Sequence, residues 1–142
     1  MIIPDVNLLV YAHVSGFSEH GKARRWWEHL MNAPTSVGLA APALYGFIRV
    51  ATNPRIFDHP MTVDQAVARA ERWLSRRHVR FLVPGPRHLE IAFRLLRGLG
   101  VAGNLTTDAQ LAALAIEHQA ELHSNDADFG RFPELRWVNP LR

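Results

Sequence analysis

Apolar positions recur along this chain in two rhythms. Some form short unbroken runs of three or four residues. Others return every three or four positions over ten residues or more. Met1 to Pro4 is a short run and predicts a first strand. After Asp5, the stretch Val6-Asn7-Leu8-Leu9-Val10-Tyr11-Ala12 predicts a helix starting near Asp5, although one long strand fits so short a stretch equally. Residues 18 to 32 carry Ala23, Trp26, Trp27, Leu30 and Met31 at amphipathic-helix spacing, with Ser18 as the expected cap. Val37 to Leu39 predicts a short strand. Ala43 to Thr52 predicts a helix stopped by Asn53-Pro54, and the prolines of "NPRIFDHPM" (53–61) make the next segment a loop.

Thr62-Val63-Asp64-Gln65 has the spacing of a capping box, and the helix it opens places Ala66, Ala70, Trp73 and Leu74 on one face. Val79 to Pro84 is strand-like, and Pro86 to Arg97 predicts a helix ended by Gly98 and Gly100. Thr107-Asp108-Ala109-Gln110 repeats the capping-box spacing. Its helix, "QLAALAIEH", is apolar on most sides and therefore predicted to be central and buried. Glu121 to Ser124 predicts a strand and Arg136 to Val138 a last edge strand. Strands alternating with helices imply an α/β fold: a parallel sheet of four to five strands with helices on both faces. One domain spanning residues 1–142 is expected at this length, with no repeat, linker or low-complexity tract.

Composition narrows the chemistry. No apolar run approaches the length of a membrane span, and no basic segment precedes an apolar stretch at the N-terminus. With no Cys, disulfides and thiolate metal sites are excluded; a cytoplasmic location is the expectation. Net charge is +3, and 15 of the 16 basic residues are Arg, with Lys22 the single Lys. Arg offers a donor fork suited to phosphate, so a polyanionic partner and a merely solvated basic surface both fit.

The six Asp residues are distributed unevenly. Asp64 suits a helix dipole, and Asp58 lies in the proline loop. Asp5, Asp126 and Asp128 follow predicted strands, and Asp108 sits in the first turn of a predicted helix. Ligands of open parallel sheets bind outside the carboxyl ends of the strands, so all four are expected along one edge. Carboxylates ~4 Å apart repel by about 4 kcal/mol at an effective dielectric of 20. A divalent cation reverses that sign, and hard oxygen donors without His or Cys suit Mg²⁺ or Mn²⁺. Each Asp also has a local reading. Asp5 and Asp108 can cap helices, Asp126 can make an Asx turn, and Asp128 can be plain surface.

The segment "NLTTDAQLAALAIEHQAELHSNDADFGRFPELRWVNP" (104–140) resembles the C-terminal half of PIN-domain ribonucleases, and most closely the VapC toxins of toxin–antitoxin pairs. "PDVNLLVYA" is similar to their first strand and helix, and "FIRVATNPRIF" to their central helix and loop. The resemblance implies a compact α/β PIN-like domain that cleaves RNA endonucleolytically with Mg²⁺ or Mn²⁺. It implies Asp5, Asp108 and Asp126 as metal carboxylates, with Asp128 completing the catalytic cluster and Ser124 bordering it. It also implies a cognate VapB-like antitoxin whose tail lies across the acidic pocket. One departure stands out. Where many PIN domains carry Glu in the helix reading "ALYGFIRV", this chain has Gly46. A second metal is thereby placed in doubt, and a PIN fold that only binds RNA or antitoxin becomes the alternative reading. An aspartate-based phosphohydrolase is a minor one, since its late Lys is missing.

Arg49, one turn from Gly46, is expected to hold phosphate, hold an antitoxin carboxylate or pair with a cluster Asp. Asn7 is expected either to support the metal site or to lie on the helix surface. His118 and His123 read as surface or edge residues. Trp26, Trp27 and Trp73 read as core or dimer contacts, and the unpaired sheet edge suggests a homodimer, or a hetero-oligomer with the antitoxin.

Overall fold

A computed structural model describes all 142 residues. Five strands form one parallel sheet in the order β3-β2-β1-β4-β5: β1 (Ile2–Pro4), β2 (Val37–Ala40), β3 (Val79–Leu82), β4 (Glu121–His123) and β5 (Arg136–Val138). Six helices connect them: α1 (Val6–His13), α2 (His20–Asn32), α3 (Ala41–Ala51), α4 (Val63–Leu74), α5 (His88–Leu99) and α6 (Leu105–Glu117). A short 3-10 turn, Ala127–Arg131, follows β4. The two candidate readings of the first segment resolve as strand then helix, with Asp5 at the junction.

Alternation along the strands divides the core into two layers. Val37 and Leu39 of β2 face α1 to α4, together with Leu8, Leu9, Trp27, Phe47 and Trp73. Ile3, Ala40, Leu82 and Leu122 face the opposite side, against α5, α6 and Phe129. As its pattern predicts, α6 is central, with Ala109 and Leu111 to Ala115 all buried.

Local chemistry explains the helix starts, and two differ from expectation. Thr62 and Gln65 form the reciprocal capping box at α4. At α2 the cap position is Glu19 without a side-chain bond, so Ser18 is not the cap. The helix α6 begins at Leu105, two residues before Thr107; Thr107 therefore lies inside the first turn and its capping box does not form. Leu74, at the last position of α4, is 36% exposed and stands off the buried face.

The two helices that leave the carboxyl ends of β1 and β2 pack closely. A Cβ at Gly46 of α3 would stand 2.8 Å from Cγ2 of Val6 in α1. Gly46 thus has a packing reason: it lets α3 approach the helix that Asp5 begins.

Candidate metal centre

Parallel strands with few residues bring their carboxyl ends into a short row, and the acidic residues collect there. Asp5 leaves β1, Asp126 and Asp128 follow the adjacent β4, and α6 contributes Asp108. One carboxylate oxygen from each of Asp108, Asp126 and Asp128 lies within 4.8 Å of the others. Asp5 stands outside that shared radius, yet its charge acts on Asp108, and that of Asp126 acts on it. Of the four carboxylates expected along this edge, three share one small radius, and Asp5 lies outside it. The tightest trio, however, includes Asp128 in place of Asp5.

Ser124 is the hub behind these carboxylates. It is fully buried. Its hydroxyl donates to Asp5 Oδ2 at 2.8 Å and accepts from the Asp126 backbone N–H at 3.0 Å. Asn7 Nδ2 also donates to it at 3.3 Å, so Asn7 turns inward rather than lying on the helix surface. The Ser124 backbone is equally engaged: its N–H donates to Val138 O, and its carbonyl accepts from Trp137 Nε1 at 3.0 Å. A buried polar group this well satisfied is a rigid support.

The local roles of the aspartates coexist with the cluster. Asp5 Oδ1 accepts from the Val6 N–H at 2.8 Å and caps α1. Asp126 Oδ1 accepts from the Asp128 N–H at 2.9 Å, an Asx turn that aims Asp128 back toward the trio. Asp128 also sits 3.6 Å from Arg131 on a half-exposed surface.

Electrostatics register the crowding. Asp108 is pushed up to about 6, first by loss of solvation and then by the charges of Asp126, Asp5 and Asp128. Burial also raises Asp5, against hydrogen bonds from Ser124 and Val6 that lower it. Three neighbouring carboxylates, with oxygen donors only, fit a hard divalent cation such as Mg²⁺ or Mn²⁺ and do not fit a soft metal.

Arg49 is exposed and makes no ion pair with the cluster. Lys22 has the Leu141 carbonyl as its hydrogen-bond partner and makes no ion pair with an aspartate, so no Lys supports the phosphohydrolase reading. His123 departs from its surface reading: it is 7% exposed. Trp26 Nε1 donates to its Nδ1 at 3.0 Å, so Nε2 carries the proton and donates to Glu121 Oε1 at 2.9 Å. This pair fixes the residue immediately before Ser124. Its only trace in the sequence is the position of His123 at a strand end. Trp27 and Trp73 are core, and Trp26 is spent on His123.

Comparison with known proteins agrees with this architecture. The PIN domain family matches residues 2–135. The chain is 51% identical to "Ribonuclease VapC33" of Mycobacterium tuberculosis, covering 100% of this chain and 99% of that one. It is 40% identical to "Ribonuclease VapC37" of the same species, covering 99% and 97%. Among solved structures it is similar to VapBC2 from Rickettsia felis bound to a promoter DNA fragment, with TM-score 0.70 at 21% identity and 98% coverage of both chains. The sarcin–ricin-loop-cleaving toxin VapC20 of M. tuberculosis gives TM-score 0.65 at 22% identity, covering 96% and 99%. These last two similarities speak to the fold.

Proposed function

This chain belongs to the PIN domain family, and from that premise we propose that it is an endoribonuclease, the toxin of a toxin–antitoxin pair. One observation carries the reading: three carboxylates gathered within 4.8 Å in a chain with full-length likeness to named ribonucleases. Asp108, Asp126 and Asp128 would hold Mg²⁺ or Mn²⁺, with Asp5 facing them. A divalent cation there supplies Lewis acidity and neutralises charge on a phosphodiester. The chain's own part is positional. Ser124 ties the Asp5 carboxylate to the end of β4, the Asx turn sets Asp128, and the N-terminal turns of α6 present Asp108. Negative charge on this rim would repel bare phosphate, so RNA approach depends on the cation neutralising it.

The test is cleavage of RNA by the purified protein with Mg²⁺ or Mn²⁺, against EDTA and against Asp108→Asn, Asp126→Asn and Asp128→Asn variants. Loss of cleavage in EDTA and in each variant is the expected result. Cleavage that survives either change rules the mechanism out. The non-catalytic alternative drew its support from Gly46, and the contact with Val6 accounts for that glycine on packing grounds.

The partner proposed is a VapB-like antitoxin whose basic tail crosses the acidic rim. Asp108→Lys together with Asp126→Lys should weaken that complex, and an unaffected complex would count against the pose. A homodimer is proposed as well, through Leu89 and Phe93, exposed and one turn apart on α5. Light scattering on the parent and on Phe93→Glu reads it directly.

A further inference from the structure

The loop that carries Asp126 is held by the segment that pairs beside it in the sheet. Three hydrogen bonds join the two. The Ser124 N–H donates to the Val138 carbonyl at 3.1 Å, and Trp137 Nε1 donates to the Ser124 carbonyl at 3.0 Å. The third bond reaches one residue further along the loop: Asn139 Nδ2 donates to Asn125 Oδ1 at 3.0 Å. Asn125 stands between the Ser124 hub and Asp126, and its own N–H lies 3.5 Å from Asn7 Oδ1. Asn125 is therefore gripped twice, by Asn7 from α1 and by Asn139 from just beyond β5.

Asn139 is itself fixed. Its Oδ1 accepts from the Leu141 N–H at 3.0 Å, an Asx turn that leaves the amide nitrogen as the end turned to Asn125. Leu141 is buried in the core layer that contains Leu8 and Ala23, so the tie is anchored in packed interior. The sheet does not need this side chain. The pairing of β5 with β4 runs from Arg136 to Val138 and ends before Asn139. Asn139 also lies outside residues 2–135, the stretch that the PIN domain family matches, so that likeness gives it no role.

We propose that Asn139 is a positioning residue for the metal centre: through Asn125 it fixes the backbone from which Asp126 and its Asx turn project. Repulsion among the carboxylates pushes that loop outward, and bonds at its base oppose the push. A ligand set works only when its members are held within about half an ångström by a locked supporting shell. The proposal rests on the metal centre read above and, for its cleavage arm alone, on the ribonuclease reading.

The test measures Mn²⁺ binding to the full chain by isothermal titration, with RNA cleavage beside it. Asn139→Ala raises the Mn²⁺ Kd about tenfold, the low end of what losing a residue behind metal ligands costs, and lowers kcat while KM for RNA holds. Asn125→Ala does the same. The double variant is no worse than either single one, because both act by one route. Asn139→Ser keeps a hydroxyl that can accept from the Leu141 N–H but is too short to reach Asn125; it shows the same loss and serves if Asn139→Ala does not fold. Thr62→Ala, which breaks the capping box of α4, lowers the melting temperature and leaves the Mn²⁺ Kd unchanged. An unchanged Kd in both Asn139 variants overturns the proposal and leaves the ribonuclease reading intact. Additive losses from Asn125→Ala and Asn139→Ala overturn it too, as does an equal loss in Thr62→Ala, which would mark plain destabilisation. The expected Mn²⁺ pattern in a parent that cuts no RNA supports the positioning role, and the ribonuclease reading then fails alone. A parent that binds no Mn²⁺ overturns the proposal together with the metal centre.

Discussion

A carboxylate raised in the folded state stabilises the fold only while it is protonated. Asp108, at about 6 against an ordinary 3.8, is such a group. Its contribution is fully present below pH 3.8 and is lost as pH rises through about 6. Metal-free protein should therefore gain stability from Asp108→Asn at pH 7.5, on the order of 1–2 kcal/mol after discounting for its partial exposure, and none near pH 4. Denaturant melts of parent and variant across that range check it. His13 acts in the opposite sense. Burial first, then the nearby Arg69 and His20 charges, hold it down at about 4, so its contribution is present above pH 6.5 and lost as pH falls through about 4. Comparing parent with Asp108→Asn cancels the His13 effect. Ser124→Ala tests the hub at the same scale. It strands a buried Asp5 oxygen and the Asp126 N–H, and should cost about 1–3 kcal/mol in a urea melt while lowering cleavage.

Among the elements, the contact between α1 and α3 decides most. Alanine is favoured over glycine in a helix by about 1 kcal/mol. At Gly46, overlap with Val6 opposes that gain, and overpacking typically costs ~1–3 kcal/mol. Gly46→Ala is therefore expected to lower the melting temperature, and adding Val6→Ala to restore it; additive effects of the two changes would contradict the close approach. The capping box at α4 was legible from four letters, because its bonds are made within one turn. The same four-letter spacing at Thr107 misleads. The chain turns into α6 two residues earlier, at Leu105, and the backbone N–H groups that Thr107 would cap are already helical. Ser18 fails for the opposite reason, since α2 starts later, at His20, with Glu19 at the cap position.

For the whole molecule, a cation held at the acidic rim would couple stability to metal. Crowded carboxylates oppose the folded state, and a cation bound there would relieve that, so Mn²⁺ at about tenfold above its Kd should stabilise the parent by ~1.4 kcal/mol. Thermal melts should show that shift, and Asp108→Asn or Asp126→Asn should reduce it sharply. An equal shift in all three proteins would place the cation elsewhere. The Trp residues show the same dependence on the global fold. Their helical spacing marks them as apolar-face residues, but only the packing of α2 on α1 and of α4 on α3 brings Trp27 and Trp73 together in the core and leaves Trp26 to His123.

Order of elements, the parallel sheet and the row of aspartates at its carboxyl edge all follow from the sequence itself. Apolar rhythm is local, and the handedness of strand–helix–strand connections leaves few topologies to choose from. Which carboxylates lie nearest one another, that Ser124 ties Asp5 to Asp126, that Gly46 meets Val6 and that Asn139 grips Asn125 were decided only in three dimensions. Each depends on distances between residues tens of positions apart or on opposite sides of a turn, and those distances are set by side-chain packing, which has no period along the chain.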